Sequence, residues 1–187
     1  MGGVIAVRSL IRKYGRSGPG LPLKTPLKEM DDEAVLSIIR GGESDSVEFK
    51  STLRINLKTG KPGKEVELAW LKTVAAFLNT RGGALLIGVD DGGEVIGLGD
   101  EGLESDDKFL LHVKNLINQH IGLEHARFID FSLRSVGAVR ILIIECQKSQ
   151  KPVFLRAFNE EEFYIRTGPS SVKLPLSKVL GYLEGRS

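Results

Sequence analysis

A single cysteine, Cys146, stands in a chain of 187 residues, beside one tryptophan, two methionines and three histidines. One thiol excludes an intrachain disulfide and a cysteine-based zinc site, and it points to a reducing compartment. Cytoplasm is the compartment expected. Aromatic residues are only 6% of the chain, so a broad platform for stacking bases is not expected. The apolar stretches fall well short of the roughly 20 residues a membrane span needs. No G-x-x-x-x-G-K-[ST] occurs, which excludes a standard P-loop. His112, His120 and His125 lack the spacing of a zinc-binding helix and read as surface or capping residues. No histidine lies near Ser44, Ser46 or Ser51, so a Ser-His-Asp triad has no support. What remains is 41% hydrophobic and 27% charged, the composition of one globular domain. At this length one core buries roughly 70% of the unfolded surface.

The formal charge of +2 hides an asymmetry. Residues 1–28 carry Arg8, Arg12, Lys13, Arg16, Lys24 and Lys28 and no acid, while the other 159 residues hold 20 basic and 24 acidic groups. This divides the chain into a basic, flexible N-terminal arm over residues 1–28 and a mildly acidic domain over residues 29–187. Residues 4–14 could form a short basic helix, and the Gly/Pro-rich stretch after it reads as a linker. An acid-free, Arg-rich start also allows an organelle-targeting alternative. An acidic body is not a generic nucleic-acid binder, so any nucleic acid must be met by a local patch, by the arm, or through metal ions.

Local signals place the elements. Asp31 caps a helix with Ala34, Val35, Ile38 and Ile39 on one side, closed by Gly41-Gly42. Residues 47–51 alternate as a half-buried strand, and residues 59–64 make a basic loop. A long helix is expected over 65–78 and a core strand over 84–89, turned at Asp90-Asp91-Gly92-Gly93 into a returning strand at 94–96. Ser105 caps a helix to about Gln119. Residues 128–133 and 139–146 form a hairpin, 153–155 and 162–166 are short strands, and Pro175 opens a final helix ending near Glu184. The fold class is α+β, a single domain with a mixed, largely antiparallel sheet flanked by helices.

Three segments could carry chemistry. In "GESDSVEFK", Glu48 and Lys50 share one strand face, which suits a polar site and equally a solvated face with a weak ion pair. In "VAAFLNTRGGALLIGVDDGGEVIGL", alternation puts Leu86, Gly88 and Asp90 on one face, and Gly88 leaves room for a neighbouring backbone or ligand. The same Asp-Gly run also serves as a plain hairpin turn. In "FYIRTGPSSVKL", a strand ends in Arg166, Thr167 and Gly168 and then hydroxyl residues, a composition suited to phosphate or to an ordinary loop. The G-x-G-x-x-G at Gly97–Gly102 is read as accidental, because Asp100 and Glu101 would set negative charge beside a pyrophosphate. Cys146 reads as a small buried hydrophobe.

In this order and spacing, with "KPVFL" between the last two, these segments resemble the Schlafen/AlbA-like domain over about residues 36–183. The resemblance implies an AlbA-like α+β fold and a nucleic-acid partner, structured RNA favoured over DNA. In Schlafen proteins two such lobes form a horseshoe around RNA, and an acidic trio gives metal-dependent endoribonuclease activity. The matching acids are Glu43, Glu48 and Asp90, with Mg²⁺ or Mn²⁺ as the implied cofactor and Lys50 as an alternative source of positive charge. Arg81, Arg166 and Lys173 are the phosphate-contact candidates, with Lys58, Lys61 and Lys64 as outer contacts. A full horseshoe would need a homodimer. The function expected is that of an RNA-directed endonuclease such as one acting on transfer RNA. The alternatives are a non-catalytic DNA- or RNA-binding module and a nucleotide-binding or protein-interaction regulator.

Overall fold

The structure is a computed structural model, and it describes residues 25–185. The helix expected at residues 4–14 therefore lies outside the described residues. Helix α1, Asp32–Arg40, starts where predicted, with Asp31 accepting the Ala34 amide at 2.8 Å, and ends at Gly41. Its acids in the first turn and Arg40 in the last both complement the helix dipole. Strand β1, Val47–Lys50, follows, then a small hairpin of β2, Ile55–Asn56, and β3, Lys61–Pro62. Helix α2 is Lys64–Asn79, and strand β4 is Gly83–Ile87. Helix α3, Asp106–His120, is capped by Ser105. Strands β5, Ile129–Val136, and β6, Val139–Cys146, form a longer hairpin than alternation suggested. Strands β7, Phe154–Ala157, β8, Glu160–Thr167, and β9, Ser170–Leu174, precede helix α4, Leu176–Glu184.

The strands divide between two main sheets where the sequence suggested one. The first has the order β1-β4-β6-β5, with β1 parallel to β4 and the other pairs antiparallel. The second is the antiparallel meander β7-β8-β9. Val47, Phe49, Ala84, Leu86, Ile141 and Ile143 cover one face of the first sheet and meet Ala34, Val35 and Ile39 of α1. The opposite face carries Leu85, Ile87, Leu142 and Ile144 against α2 and α3. Helix α2 also packs on β8 and β7, so it lies between the two sheets. That position explains its sequence: from Trp70 to Asn79 all but Lys72 are buried, the pattern of a helix with no solvent face.

Asn79 ends α2 and is fully buried. Its amide donates to the carbonyls of Val153 at 2.7 Å and Tyr164 at 3.0 Å, and its oxygen accepts the Val153 amide at 2.9 Å. One side chain thus satisfies backbone groups of the second sheet and of the segment that enters it.

Four local readings change. Gly88 adopts φ 100, which ends the strand at Ile87 and breaks the alternation. Leu86 and Val89 consequently share a core, and the period-two count does not carry to Asp90. A Cβ on Gly88 would meet the Gly97 carbonyl carbon at 3.0 Å, so the space its missing side chain leaves is taken by neighbouring backbone. The returning strand at 94–96 shrinks to one bridge, Val89 with Val95. Residues 170–174 form β9 and not a loop, because Gly168 at φ 56 turns the chain back on itself. Lys28 pairs with Asp130, and Leu27 is buried, donating its amide to Glu145 at 2.9 Å, so both belong to the packed body.

His125 differs from a surface histidine: it is buried beside Ser149 Oγ at 3.3 Å. Burial, chiefly, holds its pKa below the ordinary 6.5. The unfolded chain therefore takes up a proton near pH 6.5 that the folded chain resists, and stability falls as pH drops below that value. Thermal melts from pH 7.5 to 5.5 should show this loss, at most about 1.4 kcal/mol per pH unit. His125→Gln should flatten it. An equal slope in that variant would assign the loss elsewhere.

Candidate functional site

The segment from Glu43 to Lys50 is held by its own side chains. Ser44 Oγ accepts the Val47 amide at 3.1 Å, and Glu43 Oε1 accepts the Phe49 amide at 3.0 Å. Strand alternation turns Val47 and Phe49 into the α1 core and puts Glu48 and Lys50 on the other face, as the sequence indicates. That face is not solvated. Glu48 is 8% exposed, and its Oε1 lies 2.6 Å from Lys50 Nζ. Its Oε2 lies 2.6 Å from Nη2 of Arg166, whose side chain is wholly buried.

Arg166 reaches this carboxylate from β8. Its guanidinium donates to the carbonyls of Ser44 at 2.8 Å and Val47 at 3.2 Å and to Ser171 Oγ at 3.2 Å. It sits over the Phe77 ring, 5.1 Å from the centroid. A fully desolvated cation that fills its donors this way is part of the frame, because burial without partners would cost several kcal/mol.

Asp90 is used by its turn. Its Oδ1 accepts the Glu94 amide at 2.8 Å, and its carbonyl accepts the Gly93 amide at 2.9 Å. The three acids therefore each serve a different local bond. No group of three or more His, Cys, Asp or Glu side chains among the described residues could hold a metal ion. A divalent cation needs several carboxylate lone pairs turned to one point. Lys50 donates to Glu48 Oε1, and Arg166 lies against Oε2 without a hydrogen bond to it; with a cation beside each oxygen, the residues present do not fit Mg²⁺ or Mn²⁺.

The phosphate-contact candidates separate in the same way. Arg166 is closed off from any phosphate by burial. Lys173 is paired with Glu162, which raises the lysine's pKa and lowers the glutamate's. Arg81 is exposed in the turn between α2 and β4. Lys58, Lys61 and Lys64 are exposed on and beside the β2–β3 hairpin. The structure does not bring these three together with the acids into one cluster of contacts.

Sequence reasoning used Glu101 only as a charge that would repel a pyrophosphate. The residue is buried and accepts the amides of Leu53 at 2.8 Å and Arg54 at 3.1 Å, fastening the segment after β1. Two glutamates thus hold backbone amides here, Glu43 that of Phe49 within β1 and Glu101 those of Leu53 and Arg54 after it. Gly97–Gly102 accordingly belongs to a structural loop. The cleft beside it, about 150 Å³ and rimmed by Asp100, Glu104 and Asp106, is smaller than the roughly 300–1,000 Å³ of ligand pockets. Cys146 is buried, as expected, and burial raises its pKa. No helix among the described residues is long and apolar enough to cross a membrane.

The DIP2311 protein from Corynebacterium diphtheriae has a similar solved structure, with a TM-score of 0.53 at 20% identity. The likeness covers 100% of this chain and 30% of that one, so the chain spans less than a third of that protein's length. At this identity the likeness shows the fold alone. No curated protein matches the chain. The family described as Schlafen, AlbA_2 matches residues 43–175, from the Glu43 cap through β9. That span is well over half the chain and includes β1, α2, both sheets and every acid of the trio, and the chain belongs to the Schlafen AlbA_2 family.

Proposed function

We propose that this protein is a nucleic-acid-binding module in which Glu43, Glu48 and Asp90 hold the fold together. Family membership supports nucleic acid as the partner class. The observation that carries the non-catalytic reading is the closure of Glu48 between Lys50 and Arg166. Two cations within 2.6 Å of this carboxylate oppose the approach of a divalent metal ion. Structured RNA remains the favoured partner, read through its backbone and shape, since aromatic residues are few.

The test is direct. Transfer RNA incubated with the protein and Mn²⁺ should stay intact, while a gel-shift complex weakens steadily as salt rises. Metal-dependent cleavage that vanishes in Glu43→Gln would overturn this reading in favour of the endonuclease.

A further inference from the structure

Ten of the twenty Lys and Arg side chains among residues 25–185 pair with a carboxylate. Lys28, Lys50, Arg134, Arg140, Arg166 and Lys173 each pair with a carboxylate. The β2–β3 hairpin and the residue pair after it gather three of the others within seven positions. Between Ile55 and Lys64 there is no acid and no aromatic residue. Lys58, Lys61 and Lys64 are all exposed, and none forms an ion pair among the described residues. Glu65 is the nearest acid in sequence, and it accepts from Asn56 Nδ2 at 2.9 Å.

The hairpin is braced. Asn56 accepts the Gly60 amide on its carbonyl at 2.8 Å and the Lys58 amide on its side chain at 2.9 Å. Thr52 Oγ1 donates to the Ile55 carbonyl at 2.6 Å, and the Gly63 amide donates to Arg54 at 2.9 Å. All of these bonds avoid the lysine side chains. The lysines are thus carried on a set frame without contributing to it.

Lys64 sits differently from the other two. It is the first residue of α2, a 16-residue helix, and a cation at that end opposes the helix dipole. The same first turn carries Glu65 and Glu67, which offset that charge at the helix end.

We propose that this finger grips the phosphate backbone of folded nucleic acid and is the element that seats the domain on it. The inference rests on the nucleic-acid reading above and gives that reading a site. With no aromatic side chain the finger contacts phosphates and not bases, so it positions the protein without choosing sequence.

Binding of a 20-base-pair RNA duplex, followed by fluorescence anisotropy across a salt series, tests it. The variant K58A/K61A/K64A should lower affinity by about tenfold or more near 0.1 M salt. Its plot of log affinity against log salt should be shallower by about 2 to 3. Lysine-to-arginine replacement at the same positions should preserve both. Lys64→Ala alone should weaken binding by a smaller factor than the triple variant and make the salt slope shallower by about 1. An unchanged salt slope in the triple alanine variant, with wild-type binding intact, overturns the finger and leaves the nucleic-acid reading standing. Absence of salt-sensitive wild-type binding to duplex RNA, duplex DNA and single-stranded RNA alike overturns both.

Discussion

Replacing Arg166 by alanine is expected to destabilise the fold by about 3–5 kcal/mol. The guanidinium is desolvated, so its loss leaves the Glu48 carboxylate buried with only Lys50 beside it. It also strips donors from the Ser44 and Val47 carbonyls and removes the cation above Phe77. For a chain of this length that is a fall of roughly 10 °C in melting temperature. The double variant Glu48→Leu/Arg166→Met removes both charges and should be no less stable than Arg166→Ala, because an apolar pair of similar volume leaves no orphan charge. Calorimetry on the three proteins checks this. A fall of less than about 1 kcal/mol in Arg166→Ala would mean that the ion pair is not part of the frame. Under the binding-module reading, the double variant also keeps its affinity for nucleic acid.

Asn79→Leu should cost a similar amount, about 3–5 kcal/mol. The substitution keeps the volume and deletes two donors and one acceptor. Val153 then loses partners for both its amide and its carbonyl, and Tyr164 loses one for its carbonyl. Buried backbone groups left this way cost about 1–3 kcal/mol each. Asn79→Asp should be as damaging at neutral pH, since a carboxylate would face two carbonyl oxygens. It should recover in part at pH 5, where a protonated carboxyl regains a donor. Urea unfolding at the two pH values reads both effects. An Asn79→Leu protein within about 1 kcal/mol of wild type would show that water replaces the amide.

Much of the chain was readable from neighbours in sequence. Asp31, Ser105 and Pro175 announce helix starts with their own side chains or ring, and each helix begins on the next residue. The alternation of Val47, Glu48, Phe49 and Lys50 assigns faces correctly. What the sequence could not give is what lies opposite a face. Glu48 on a strand looks like a solvent or metal ligand until Arg166 arrives from β8, more than a hundred positions later. Gly88 carried a hint of close approach, but nothing in its neighbours revealed that its φ would end the alternation before Asp90. Strand β9 was hidden by Gly168-Pro169, which reads as a loop and forms the turn of a hairpin. The resemblance singled out Glu43, Glu48 and Asp90, and only the folded chain shows which groups each of them bonds.

Helix α2 is walled in on both sides. Neither sheet can peel away without wetting one flank of Trp70 to Asn79, so partial melting is penalised wherever it begins. The two sheets, though separate in hydrogen bonding, should stand or fall as a single cooperative unit.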